Sequence, residues 1–291
     1  MKIGLFTPLR SPVATPEFLT ELGRSCEERG IASLWLGEHV VTFPKYESRY
    51  PGNPDGEFRF PVGSGLLDMV ASIGFLAAVT STIRLGTGIC ILPQNNPVYV
   101  AKEYATLDFL SKGRLDFGVG VGWSWEEFEA CGAPWERRGA RCDEYLQVIH
   151  SLWRDEVSSF HGEFYDLPDC YCYPKPVQAP MVPITVGGHS AAALKRAAKY
   201  GHGWYGINAD PDETAAILAR IDGYLAAEGR TREGFKIVMG TTSDALPMEW
   251  IDRYAELGVD EVLLPFLRQG TKHLEANLDT VTPYLEAVRS T

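Results

Sequence analysis

The stretch from Ile83 to Trp123, IRLGTGICILPQNNPVYVAKEYATLDFLSKGRLDFGVGVGW, limits the possible folds more than any other. Ile83 to Leu92 is apolar and β-branched, and Gly86 and Gly88 interrupt it. Pro97 sits where proline opens a helix at no hydrogen-bond cost. Val98, Ala101, Ala105, Leu107 and Leu110 then recur at helical spacing, and Gly113 is a helix stop. Leu115 to Gly122 is a second apolar strand. Two strands joined by a crossover helix must run parallel, so the stretch is a βαβ unit.

The same alternation runs through the whole chain. Strands are expected at Lys2 to Pro8, Ser33 to Val40, Ile83 to Leu92, Leu115 to Gly122, Val182 to Gly188, Gly203 to Ile207, Phe235 to Gly240 and Glu261 to Phe266. Between and after them come helical stretches: Pro16 to Arg29, Leu66 to Thr80, the one opened by Pro97, Trp125 to Ala130, Arg138 to Arg154, Ser190 to Tyr200, Pro211 to Glu228, Met248 to Leu257 and Lys272 to Val288. No linker breaks the series. Eight strands alternating with helices favour one (β/α)8 TIM barrel over residues 1–291 rather than a doubly wound sheet. Two long irregular insertions, Val41 to Gly65 and Glu156 to Pro180, follow strands 2 and 4. Both are expected on the C-terminal face of the barrel, covering a substrate.

A net charge of −11 argues against nucleic acid and anionic membrane as partners. It leaves an anionic small molecule open, because backbone amides can hold a phosphate without help from net charge. No apolar run reaches membrane-span length. The six cysteines have neither zinc nor CxxC spacing, and Met1-Lys2 leads straight into a strand. The expectation is a cytoplasmic protein with free thiols and no bound metal.

In such a barrel, reactive groups belong at the C-terminal ends of strands. Glu38-His39 ends the second strand. Histidine titrates near neutrality, and a neighbouring carboxylate can fix its tautomer, which suits acid–base work. Gly187-Gly188-His189-Ser190 ends the fifth strand and opens a helix. Glycines allow close approach of backbone to an anion, and the helix start offers free N–H groups. A plain strand-to-helix turn with a serine cap would look the same. The glycines of Gly118-Val-Gly-Val-Gly122 alternate within a strand, and no Gly-x-x-Gly opens a helix afterwards. This is not a Rossmann fingerprint; it leaves room for a flat ligand or for a packed neighbour. Gly86 and Gly88 suggest a bulge. Trp123 and Trp125 follow the fourth strand directly, whereas His150, His161 and His202 are expected to be structural.

Three blocks now resemble the luciferase-like flavin and deazaflavin oxidoreductases: LGTGICILPQNNPVYVAKEYATLDFLSKGRLDFGVGVGW, EFEACGAPWERRGARCDEYLQVIHSLW and PKPVQAPMVPITVGGHSAAALKRAAKYGHGWY. Gly-Trp followed by Glu-Phe, then RRGARCDEYLQVIHSLW, looks like the subgroup of probable F420-dependent oxidoreductases. The resemblance implies a dimeric (β/α)8 barrel that transfers a hydride between coenzyme F420 and a small organic substrate. It carries Glu38 and His39 over as the acidic-His pair beside the ring, with Glu38 standing where many members have Asp. Gly88-Ile89 matches a non-prolyl cis peptide that forms a bulge behind the ring. Val121, Gly122 and Trp123 match the turn flanking the ring, and Trp123 replaces a Glu of the glucose-6-phosphate branch. Gly187, Gly188, His189 and Ser190 match the phosphate turn. The alternatives are an FMN-dependent monooxygenase using oxygen and a barrel that binds cofactor without catalysis. A basic groove beyond the phosphate, from Lys195, Arg196 and Lys199, would favour the deazaflavin with its polyglutamate tail.

Overall fold

A computed structural model describes residues 1–53, 55–242 and 246–290 of the chain. Eight parallel strands form its core: β1 (Lys2–Phe6), β2 (Ser33–Leu36), β3 (Arg84–Thr87), β4 (Leu115–Gly120), β5 (Ile184–Gly187), β6 (Gly203–Ile207), β7 (Lys236–Gly240) and β8 (Glu261–Pro265). Neighbours in sequence are neighbours in the sheet, and β8 pairs with β1 from Lys2↔Glu261 to Phe6↔Pro265. Pairing of β4 with β5, as in Thr185↔Gly118, leaves no open edge, so the barrel is closed.

Ten helices are described: α1 (Pro16–Arg29), α2 (Met69–Val79), α3 (Pro97–Leu110), α4 (Trp125–Ala130), α5 (Arg138–Arg154), α6 (Ala191–Tyr200), α7 (Pro211–Ala227), α8 (Met248–Glu256), α9 (Thr271–Asp279) and α10 (Thr282–Ser290). Their starts are written locally. Asn96 caps α3 ahead of Pro97, and Asp210 with Glu213 forms a capping box on α7. The main core lies between the barrel and these helices. A smaller buried cluster of Trp35, Tyr205, Val238 and Leu263, with Phe6 and Ile89 against it, comes from the barrel strands themselves and the residue just after β3.

The strand starts carry an ionic cluster around two buried carboxylates, Asp116 and Glu261. Lys236 Nζ lies 2.7 Å from Glu261 and 3.5 Å from Asp116, and Arg84 Nε lies 2.7 Å from Asp116. The Ser33 hydroxyl donates to Glu261 and accepts from Trp35 Nε1 at 2.9 Å. Burial alone would raise the Asp116 carboxyl, but Lys236 and Arg84 outweigh it and hold it below its ordinary range.

Several elements differ from expectation. The second strand stops at Leu36 rather than Val40. The third breaks after Thr87 and resumes as a two-residue strand, Cys90–Ile91. Lys272 to Val288 is two helices, separated between Asp279 and Thr282. The second insertion contains an antiparallel hairpin, Ser158–His161 with Asp166–Cys170. That insertion also leaves from the opposite end of the barrel, and its hairpin tip returns along α5 as far as Arg137, which pairs with Glu163. It starts where α5 ends, and the hairpin tip lies along α5, with Glu144 accepting from the N–H groups of Glu163, Phe164 and Tyr165. It returns at the strand starts, where Gln178 Nε2 donates to Leu115 O at 2.7 Å. The first insertion is irregular apart from Gly65–Leu66, which pairs with Arg10–Ser11; its Pro54 lies outside the described residues. Among the described residues no helix is long and apolar enough to cross a membrane.

Candidate active site

Four strand ends converge on one face: Gly37–His39 after β2, Gly88–Ile89 after β3, Val121–Trp123 after β4, and Gly187–Ser190 at β5. Glu38 and His39 are adjacent in sequence but take different partners. His39 Nδ1 lies 2.9 Å from Glu127 Oε2, and Glu127 Oε1 accepts from Val40 N–H at 2.6 Å. Glu127 is 1% exposed and sits in the first turn of α4, where Ser124 Oγ caps its N–H. The carboxylate expected to orient His39 is therefore Glu127 and not Glu38. A reading of the chain in order passes over Glu127, because a carboxylate in a first helical turn also serves the helix dipole. The Glu-Phe of the family-like block was the available signal.

Glu38 turns instead to the break in the third strand. Its Oε2 accepts from Ile91 N–H at 2.5 Å, and Asn95 is a second hydrogen-bond partner. Burial pushes its carboxyl up to about 7 against the Ile91 hydrogen bond, and the charges of Glu127 and Asp68 add to the rise. The folded chain thus keeps a proton that the unfolded chain releases above its ordinary 4.5. Stability from this group is complete below that value and is lost as pH rises through about 7. Glu38→Gln keeps an acceptor for Ile91 and has no charge to bury. It is expected to gain on wild type by up to about 3 kcal/mol between about pH 5 and about pH 8. Urea unfolding of both proteins at the two pH values measures this, and a constant difference would contradict it.

The Gly88–Ile89 peptide is cis. Gly88 N–H still donates to Leu36 O at 2.7 Å, and Cys90 and Ile91 pair with Val119 and Gly120 of β4. The Ile89 side chain fills the space that the glycines leave. A Cβ on Gly120 would collide with Ile89 Cδ1, and one on Gly187 would stand 3.4 Å from it. Gly86 likewise makes room for the Trp35 ring, and Gly118 for the Thr87 carbonyl and the edge of that ring. Clearance for a flat cofactor is thus not what these glycines provide directly; they seat Ile89 and Trp35, whose packing shapes the floor beneath the mouth. Gly122, at φ +71, turns the chain against Ile91 and Phe128, and Val121 is partly buried on the core.

Trp123 belongs to an aromatic cluster with the first insertion. Its ring centroid lies 5.3 Å from Tyr46, 5.1 Å from Tyr50, 5.1 Å from Phe58 and 5.8 Å from His39. Phe58 also lies 4.7 Å from His39. Glu126 pins this loop, its Oε1 accepting from Glu47 N–H at 2.6 Å and Ser48 N–H at 2.9 Å. Burial opposes the charge on Glu126, but the hydrogen bonds prevail and hold its carboxyl down at about 2. Tyr46, Tyr50 and Phe58 of the first insertion thus form an aromatic roof with Trp123 beside His39.

Gly188, at φ +111, is exposed, and Ser190 Oγ caps α6 by accepting from Ala193 N–H at 3.2 Å. The first-turn N–H groups of Ala191 and Ala192 have no partner within the helix, and both residues are exposed. This turn can hold an anion. His189 serves the fold: its Nε2 accepts from Ile207 N–H at 3.1 Å, and burial lowers its pKa. The basic groove is incomplete. Arg196 is buried, with Nε 2.5 Å from Asp143 and Nη2 donating to Gly139 O, while Lys195 lies over Tyr224 and Lys199 over Tyr200. His202 Nδ1 accepts from Ile184 N–H, and His161 pairs with Asp166 on the surface.

The chain has relatives among known proteins. An uncharacterized protein of Mycobacterium tuberculosis is 32% identical over 249 residues, covering 86% of this chain and 85% of its own. The FMNH(2)-dependent dimethylsulfone monooxygenase of Pseudomonas putida is 33% identical over 186 residues, covering 62% of this chain and 50% of its own. An F420-dependent secondary alcohol dehydrogenase, solved with an F420-acetone adduct, superposes with a TM-score of 0.78 at 18% identity, covering 99% of this chain and 98% of its own. At that identity the likeness is one of fold. The luciferase-like monooxygenase model matches residues 1–243. With this barrel, these strand-end groups and a match over most of its length, the chain belongs to the luciferase-like monooxygenase family.

Proposed function

We propose that the chain is an oxidoreductase that transfers a hydride between coenzyme F420 and a small organic substrate. The observation that carries this reading is the convergence of His39, the Gly88–Ile89 bulge and the Gly187–Ser190 turn on one barrel face. The residues suit such a cofactor. An exposed glycine-rich turn at the start of α6 can take its phosphate, and the bulge after β3 offers a backbone wall for a flat ring. When bound, the deazaflavin supplies the hydride chemistry at its C5. The protein does the rest. Glu38 holds Ile91 and thereby the bulge. His39 exchanges the proton that accompanies the hydride. Tyr46, Tyr50, Phe58 and Trp123 exclude water beside it and favour an apolar or flat substrate.

The second reading is an FMN-dependent monooxygenase using oxygen. Two observations favour it: the dimethylsulfone monooxygenase likeness, and the commitment of Arg196 to Asp143, which leaves less positive charge for a polyglutamate tail. Phe75 on α2 and Tyr99, Phe109 and Leu110 on α3 are exposed and suit pairing with a second copy. Six free cysteines suit work in the cytoplasm.

Fluorescence titration of the purified protein with F420 and with FMN tests the reading. Saturable deazaflavin binding, tighter than FMN, is expected. FMN binding without deazaflavin binding would replace the first reading by the second, and binding of either without turnover would leave a cofactor-binding barrel.

A further inference from the structure

We propose that Glu127 is a positioning residue that fixes the tautomer of His39, making Nε2 the atom that exchanges the proton. The role given to His39 rests on the reading above; the tautomer does not. Both carboxylate oxygens of Glu127 face donors. Oε1 accepts from Val40 N–H at 2.6 Å, and Oε2 lies 2.9 Å from His39 Nδ1. The backbone bond matters most, because Val40 N–H can only donate. It obliges Oε1 to be an acceptor and fixes the carboxyl plane. As a carboxylate, Glu127 then offers Nδ1 only lone pairs from Oε2, so Nδ1 carries the hydrogen. Nε2, on the far side of the ring from Glu127, is left with its lone pair. After Nε2 takes up a proton, the Nδ1–H···Oε2 bond persists as a charge-assisted one, so a single geometry serves both directions of proton transfer.

Three further features keep the pair in place. Ser124 Oγ accepts from Glu127 N–H at 3.3 Å, fixing the first turn of α4. Phe58 and Trp123 enclose the imidazole at 4.7 and 5.8 Å between centroids. The side chains of His39 and Glu127 are 11% and 2% exposed, so water competes little for the bond.

This predicts an unusual outcome for a near-isosteric change. In Glu127→Gln the amide oxygen must stay on Val40 N–H, which places the NH2 group opposite His39 Nδ1. An NH2 group can only donate there, so Nδ1 must give up its hydrogen and Nε2 must take it. The substitution keeps the shape and inverts the tautomer.

The test uses full-length protein labelled with 15N-histidine, with the His39 ring signals assigned by their loss in His39→Asn. Long-range 1H–15N spectra of the neutral imidazole show which nitrogen is protonated. The expected result is Nδ1–H in wild type and Nε2–H in Glu127→Gln. Nε2–H in wild type, or the same tautomer in both, would overturn the proposal. The wild-type spectrum decides the matter even if the variant fails to fold. In turnover, Glu127→Gln should lower kcat about 10- to 100-fold with cofactor affinity within about twofold, and Glu127→Asp should restore part of it. An unchanged kcat would also overturn the proposal. Because the spectra are taken without cofactor, inversion of the tautomer supports it whichever cofactor the protein binds.

Discussion

His39→Ala is expected to lower kcat by about 10²- to 10⁴-fold while leaving cofactor affinity nearly unchanged. The side chain stands beside the mouth of the barrel, enclosed by Phe58 and Trp123 and held by Glu127. Hydride transfer to or from a substrate is accompanied by a proton, and a positioned imidazole is suited to exchange one. The turn proposed for the phosphate, Gly188–Ser190, is formed by a different strand end, so binding should survive the loss. Turnover against a panel of small alcohols and carbonyl compounds, with deazaflavin affinity measured in parallel, checks both parts. Added imidazole should restore some activity, since the cavity left by the ring can admit it. Near-wild-type turnover would remove His39 from proton transfer.

Lys236→Met should destabilise the fold by about 3–5 kcal/mol, far from the active face. Lys236 bridges Asp116 and Glu261 at the opposite end of the barrel. Asp116 would keep Arg84, but Glu261, 2% exposed, would retain only the Ser33 hydroxyl among the partners described above. A buried carboxylate losing its cation costs far more than a surface one. Urea unfolding measures the loss. Lys236→Met combined with Glu261→Gln should recover a large part of it, because the uncompensated charge is then gone. Equal instability of the single and double variants would show that packing around the lysine stem matters, and not charge.

The barrel was legible in the sequence because each strand and helix carries its own period and its own stops. Pro97 and Gly113 bracket α3, and the Asp210–Glu213 capping box opens α7. The strand ends that face the mouth were legible for the same reason: once the strands are counted, their C-terminal residues follow. Contacts between distant segments were not. Glu127 meets His39 and Val40 only because α4 folds back over the end of β2. The glycines of β4 read equally well as ligand clearance or as packing sites, and the choice depends on where Ile89 and Trp35 point. The second insertion starts at the opposite end of the barrel for a geometric reason. The 17 residues of α5 span roughly 25 Å, enough to carry the chain to the other end of the barrel before the insertion begins.

The most direct test is a crystal structure of the protein grown with F420. The deazaflavin ring should lie with one face against the Gly88–Ile89 peptide and its reactive edge within reach of His39. The phosphate should rest on the N–H groups from His189 to Ala192. A ring bound elsewhere, or a phosphate away from that turn, would contradict the assignment of this face as the site of hydride transfer.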